Sequence, residues 1–69
     1  MNYRIRIRNL GNGCFYYFHH LHIGDDEIVP ISVMKYRKEC AATFPDIASA
    51  CKVVRLIDRS KYGCLIVPV

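Results

Sequence analysis

The chain has 69 residues, of which 52% are hydrophobic, and its ten Lys and Arg against six Asp and Glu give a formal net charge of +4. This length suits one domain, 1–69, and excludes catalysis that needs two domains or a large dinucleotide cleft. The longest apolar run, 64–69, is far below the ~20 residues of a membrane-spanning helix, and no signal-peptide pattern is visible, so we expect a cytoplasmic protein with no membrane partner.

The first predicted elements are two strands joined by a tight turn. Residues 2–9 alternate apolar and basic side chains, which is typical of a strand with one buried and one exposed face. We call the exposed side the arginine face, because it carries Arg4, Arg6 and Arg8. Gly11-Asn12-Gly13 favours a turn, and the aromatic and β-branched residues of 14–23 favour a second strand. The sequence therefore predicts an N-terminal β-hairpin.

The register of this hairpin decides which side chains accompany the arginines. A two-residue Asn12-Gly13 turn would add Phe15, Tyr17, His19 and Leu21 to the arginine face. A three-residue loop over 11–13 would instead add Tyr16, Phe18, His20 and His22. We favour the three-residue loop, because it leaves Leu21 and Ile23 on the core side.

The middle of the chain is ambiguous. Alternating apolar residues in 28–36 favour a third strand, continuing irregularly to Ala42, although Asp26 and Glu27 ahead of Pro30 also fit the start of a helix. We favour the strand.

The last part of the chain predicts a helix and a strand. Thr43 is the predicted N-cap, followed three residues later by Asp46 in a weak capping box. An apolar stripe at helical spacing then predicts about four turns ending before Gly63. The stripe consists of Ile47, Ala50, Cys51, Val54 and Ile57. With a final strand over 64–69, the predicted fold is α+β, with one helix on one face of a small antiparallel sheet of three to four strands, in the order β-β-(β)-α-β.

No cofactor, metal or catalytic motif stands out. The four cysteines lack metal-ligand or disulfide spacing, and Cys14, Cys51 and Cys64 lie among apolar residues, so we predict free thiols. His20 and His22 lack a securely placed third ligand, so we predict no metal site. Cys40, beside Arg37 and Lys38, is the one nucleophile candidate, and we expect no enzymatic activity.

One whole-chain resemblance suggests a function. The Gly-Asn-Gly hairpin turn, the helix start T-F-P-D-I-A-S-A over 43–50 and the short last strand resemble small inhibitor proteins of phages and mobile elements, of the anti-CRISPR type. This resemblance implies a stoichiometric, non-catalytic binder in the host-cell cytoplasm. Many such inhibitors are acidic mimics of DNA, whereas this chain is basic, which points to an acidic surface or to nucleic acid as its target.

We therefore expect a non-catalytic binding protein that docks on a host protein or nucleoprotein complex and inhibits it. The predicted contact residues are Arg4, Arg6, Arg8, Tyr16, Phe18, His20 and His22, with Lys52, Arg55 and Arg59 on the helix edge as a second candidate surface. The alternatives are a small nucleic-acid-binding module that uses the arginine face, and a structural homodimer. A homodimer made by packing two arginine faces together would bring like charges into contact.

Overall fold

A computed structural model describes residues 1–31 and 41–69 of the chain. Its elements are β1 (Tyr3–Asn9), β2 (Phe15–Tyr17), β3 (His20–Ile23), β4 (Ile28–Ile31), α1 (Ile47–Val54) and β5 (Tyr62–Pro68). One antiparallel sheet has the order β2-β1-β5, and a second contains β3 and β4. The predicted α+β class is confirmed, with one helix beside small antiparallel sheets among the described residues.

The core lies on one side of β1. Ile5 and Ile7 are completely buried, and α1 and the turn after it place Ala50 and Ile57 against them. Burying each isoleucine contributes about 1.5–3 kcal/mol, so this contact is a main source of stability. Because α1 packs on the isoleucine side, the arginines of β1 lie on the side that the helix does not cover, as the alternation predicts.

The predicted second strand is divided in two at Phe18. The Phe18 N–H donates to the Ile5 carbonyl oxygen at 2.8 Å, and the next N–H, that of His19, donates to the Ile31 carbonyl oxygen at 2.8 Å. The chain thus leaves the first sheet and enters the second within two residues. The prediction of one continuous strand over 14–23 is wrong at this point.

The third strand is confirmed for 28–31, where it pairs with β3. The rest of that predicted strand, including Val33, extends into 32–40, which lies outside the described residues. Where the description resumes, Phe44 exchanges two backbone hydrogen bonds of 2.8 Å with Tyr3. Phe44 therefore pairs with β1 along the same edge as β2, beyond the end of β2.

The helix is shorter than predicted and starts later. It has eight residues, and its N-cap is Asp46, whose carboxylate accepts a hydrogen bond of 2.7 Å from the Ser49 N–H. That hydrogen bond lowers the pKa of Asp46. The predictions of a Thr43 cap and of four turns are wrong, as is the role of Gly63, which lies within β5. The first residue of the predicted stripe, Ile47, is exposed.

Candidate functional site: the arginine face

The hairpin register places two aromatic side chains on the arginine face. Arg8 lies opposite Phe15 and Arg6 lies opposite Tyr17. The connecting loop spans residues 10–13 and is closed by a hydrogen bond of 2.8 Å from the Asn9 N–H to the Cys14 carbonyl oxygen. Because this loop has an even number of residues, it places the same side chains on each face as a two-residue turn would.

The favoured three-residue register is therefore wrong, and with it the placement of Tyr16 and Phe18. Both side chains face the core, where Phe18 is only 4% exposed. The Tyr16 hydroxyl donates a hydrogen bond of 2.8 Å to the Pro30 carbonyl oxygen, and burial raises the pKa of Tyr16 to about 12. Tyr16 thus joins the first sheet to β4, and neither residue belongs to the arginine face.

The other edge of the face comes from β5, which the sequence analysis did not include. Leu65 lies opposite Arg6 and Val67 lies opposite Arg4 in the antiparallel register. Leu65 is 55% exposed although it lies in the middle of a strand. The alternation of β5 is hard to detect from the sequence, because apolar residues occupy both of its faces.

The complete arginine face therefore combines cationic, aromatic and aliphatic side chains. Its members are Arg4, Arg6, Arg8, Phe15, Tyr17, Leu65 and Val67. The guanidinium carbon of Arg6 lies 4.4 Å from the centre of the Phe15 ring, which is a cation–π distance. A shallow groove of about 310 Å³ runs between Arg6, Arg8 and Leu65. The face offers charge beside exposed apolar area.

Arg4 differs from the other two arginines in its surroundings. Its Nε atom is buried, and no described residue accepts a hydrogen bond from it. A buried donor without an acceptor is costly, and a charged one more so, because it has lost its water without gaining a partner.

The predicted histidines are not part of this sheet. His20 and His22 lie on β3, where they pair with Ile31 and Val29 of β4, and both are exposed. The Nδ1 atoms of His19 and His20 are 2.9 Å apart, so one ring donates to the other. Within 1–31 and 41–69, no three His, Cys, Asp or Glu residues form a group that could hold a metal ion.

The second predicted basic surface lies on the helix side of the molecule. Lys52 is on α1, Arg55 is its C-cap, and all three basic residues of this surface are exposed. Arg59 follows in a turn and not on the helix edge that was predicted. Nearby, a groove of about 570 Å³ separates this region from the turn between β3 and β4. Acidic residues 25–27 line that groove, and Glu27 lies 3.9 Å from Lys61 in an exposed ion pair.

The described cysteines are free thiols in different environments. Cys14 is exposed although it lies among apolar residues in the sequence, whereas Cys51 and Cys64 are half-buried. Burial raises the pKa of the Cys64 thiol. Cys40, the nucleophile candidate, lies outside the described residues.

The described part of the chain contains no helix with the length and apolar character needed to cross a membrane. Comparison of the chain with protein-family models, curated proteins and solved structures finds no match.

Proposed function

We propose that this chain is a small non-catalytic binding protein, of the kind that phages encode as inhibitors, and that it docks on an acidic surface of a host protein or nucleoprotein complex. The observation that carries the proposal is the arginine face, which α1 does not cover and in which the three arginines of β1 lie between aromatic side chains of β2 and aliphatic side chains of β5. Arginine and aromatic residues are enriched among the residues that dominate binding energy at protein interfaces.

The aliphatic residues of the face favour a protein partner over nucleic acid. Proteins that bind single strands stack bases on free aromatic rings. Here the Phe15 ring already stacks with the Arg6 guanidinium, which leaves Tyr17 as the other aromatic ring of the described face. The β5 edge offers Leu65 and Val67, which have no π-face for a base. Aliphatic area beside arginines instead matches a protein surface with an apolar centre and carboxylates around it.

Arg4 supplies the expected point of specificity. Its Nε atom is too deeply buried for a docking partner to reach, but a carboxylate can accept two parallel hydrogen bonds from the terminal N–H groups of a guanidinium. A partner that places Asp or Glu at this position would gain charge-assisted hydrogen bonds with Arg4. Lysine could not substitute, because its ammonium lacks the planar fork.

The test compares two charge-reversed surfaces. One variant carries Arg4→Glu, Arg6→Glu and Arg8→Glu, and its matched control carries Lys52→Glu, Arg55→Glu and Arg59→Glu on the helix side. The tagged proteins are used to capture partners from a bacterial lysate treated with nuclease, and captured proteins are identified by mass spectrometry. We expect the wild type and the helix-side variant to retain the same partner and the strand variant to lose it.

Folding must be checked, because Arg6 packs on Phe15 and Arg4 is half-buried. Arg8 is exposed, so Arg8→Glu alone serves as a variant whose stability should change by less than about 0.5 kcal/mol. Loss of the partner only in the helix-side variant would contradict the proposal. If the partner is captured only when the nuclease is omitted, and the capture weakens steeply with salt, the result would instead support the nucleic-acid-binding alternative.

A further inference from the structure

The outer edge of β5 carries no charged residue and pairs with no strand of the described part of the chain. Strand β5 pairs with β1 along one side only, since the sheet order is β2-β1-β5. Residues 62–69 include no Asp, Glu, Lys or Arg. Natural proteins usually protect a long exposed edge with charges, bulges or a covering segment, because its free N–H and C=O groups can pair with another strand.

The backbone groups that this edge presents can be derived from the hydrogen bonds. Tyr3 bonds to Phe44, away from β5, so the alternate residues of β1 bond to β5. The Val69 N–H donates to the Asn2 carbonyl oxygen, in agreement with this alternation. Cys64 and Ile66 therefore direct both their N–H and C=O groups outward, and no described residue pairs with them.

The two ends of the edge are different. The Tyr62 N–H is already used, because it donates to the Asp58 carbonyl oxygen at 3.0 Å. Pro68 has no N–H at all. In the centre of the edge, Cys64 and Ile66 each present both an N–H donor and a C=O acceptor. Tyr62 and Pro68, on either side of them, have no free N–H.

We infer that this edge pairs with the same edge of a second copy, in an antiparallel arrangement about a two-fold axis at Leu65. In this register Cys64 of each copy lies opposite Ile66 of the other and exchanges both hydrogen bonds with it. Tyr62 lies opposite Pro68, so the two residues without a free donor face each other. Every outward N–H of the edge is then bonded.

Neighbouring registers leave groups unpaired. If the axis lay at Ile66, Cys64 would lie opposite Pro68, which has no N–H for the Cys64 carbonyl. If it lay at Cys64, Ile66 would lie opposite Tyr62, whose N–H already bonds to Asp58. The Leu65 axis is therefore the arrangement in which both central residues keep full pairing.

The same register accounts for the exposure of Leu65. Its side chain is 55% exposed, and across the axis it would lie beside Leu65 of the second copy, in a non-hydrogen-bonded pair with Cα atoms about 4.5 Å apart. The arginines do not oppose this contact. Arg6 of each copy lies one strand further out, so the two are three strand spacings, about 14 Å, apart and largely screened at 0.1 M salt.

This dimer is closed, because each copy uses the same edge once. It would join two arginine faces into one continuous surface with the leucine pair at its centre. The inference does not depend on the proposed function, since it concerns self-association through backbone groups.

The test measures mass in solution by light scattering after gel filtration, from about 10 μM to 1 mM. We expect the 8.0 kDa chain to reach twice that mass as concentration rises. Leu65→Lys places two like charges across the axis and should give a monomer with an unchanged circular dichroism spectrum. Leu56→Lys is the matched control, because Leu56 is 53% exposed on the helix side, and it should remain dimeric.

A second measurement stays informative if Leu65→Lys does not fold. Leu65→Cys should form a 65–65 disulfide between copies under mild oxidation, because the expected Cα separation lies within the range of disulfides. Leu56→Cys should not form the equivalent cross-link, and peptide mapping distinguishes both from links through native cysteines. A wild type that stays monomeric at 1 mM, or a dimer that persists in Leu65→Lys without the 65–65 cross-link, would overturn the inference.

Discussion

The hairpin register can be tested by truncating two aromatic side chains that it places on opposite faces, Phe15 in β2 and Phe18 directly after it. Phe18 is 4% exposed in the core, whereas Phe15 is 41% exposed and contacts Arg6 across the strands. Phe18→Ala should cost about 3–5 kcal/mol, through lost burial and the cavity it leaves. Phe15→Ala should cost no more than about 1 kcal/mol, the value of an exposed cation–π contact.

The large stability loss expected for Phe18→Ala determines which variants the assay must include. A chain of this length is expected to have a total stability of about 3–10 kcal/mol, so Phe18→Ala would remove much or all of it. Urea unfolding followed by circular dichroism should therefore include Phe18→Leu, a milder change expected to cost about 1 kcal/mol, with Phe15→Leu as its control. If the Phe15 variants lost as much stability as the Phe18 variants, the register and the assignment of the two faces would be refuted.

Three further predictions concern titratable groups. Asp46→Asn should preserve the helix cap but reduce the loss of stability in acid. The lowered pKa of Asp46 means that its carboxylate stabilises the fold above the unfolded pKa and loses that contribution as the pH falls through the folded pKa. Thermal melts of both proteins between pH 2 and 7 measure this difference. Tyr16→Phe should cost about 1 kcal/mol by leaving the Pro30 carbonyl without its donor, and should remove the phenolate absorbance change near pH 12. Intact mass after alkylation without reductant should show four labelled thiols. Cys14 should react before Cys64, because Cys14 is exposed and burial raises the pKa of the Cys64 thiol. Blocked labelling with a mass lower by two or four hydrogen atoms, as one or two disulfides would give, would contradict this.

The pattern of residues within a single strand was enough to predict which of its faces is buried. The alternation in β1 assigns Ile5 and Ile7 to the core without knowledge of any partner strand, and the structure buries both completely. The choice between the two hairpin registers was different, because it depended on the loop. Residues 10–13 all enter the loop, and a change of one residue in loop length moves every aromatic side chain of β2 to the opposite face.

Other features depend on contacts between distant segments. Thr43 and Asp46 are both good helix caps, and their order alone favours Thr43. Phe44, however, is held in an extended conformation by its two hydrogen bonds to Tyr3, so the helix cannot begin before it. The break at Phe18 is equally invisible in the sequence, because residues on both sides of it have the same strand-forming character. The contribution of Leu65 to the candidate site follows only from the pairing of β5 with β1.

The pairing of β1 with β5 also determines when the main sheet can form. Tyr3 lies opposite Pro68 and Asn9 lies opposite Tyr62, so the longest partner of the central strand is the last of the described strands. Contacts this distant in sequence carry a high loop-closure cost and slow the folding of small domains. On the ribosome, β1 would emerge before β5. Until β5 emerges, β1 can pair with β2 along one edge, and its other edge stays unpaired. Formation of the complete sheet is therefore expected to wait until β5 has left the ribosome.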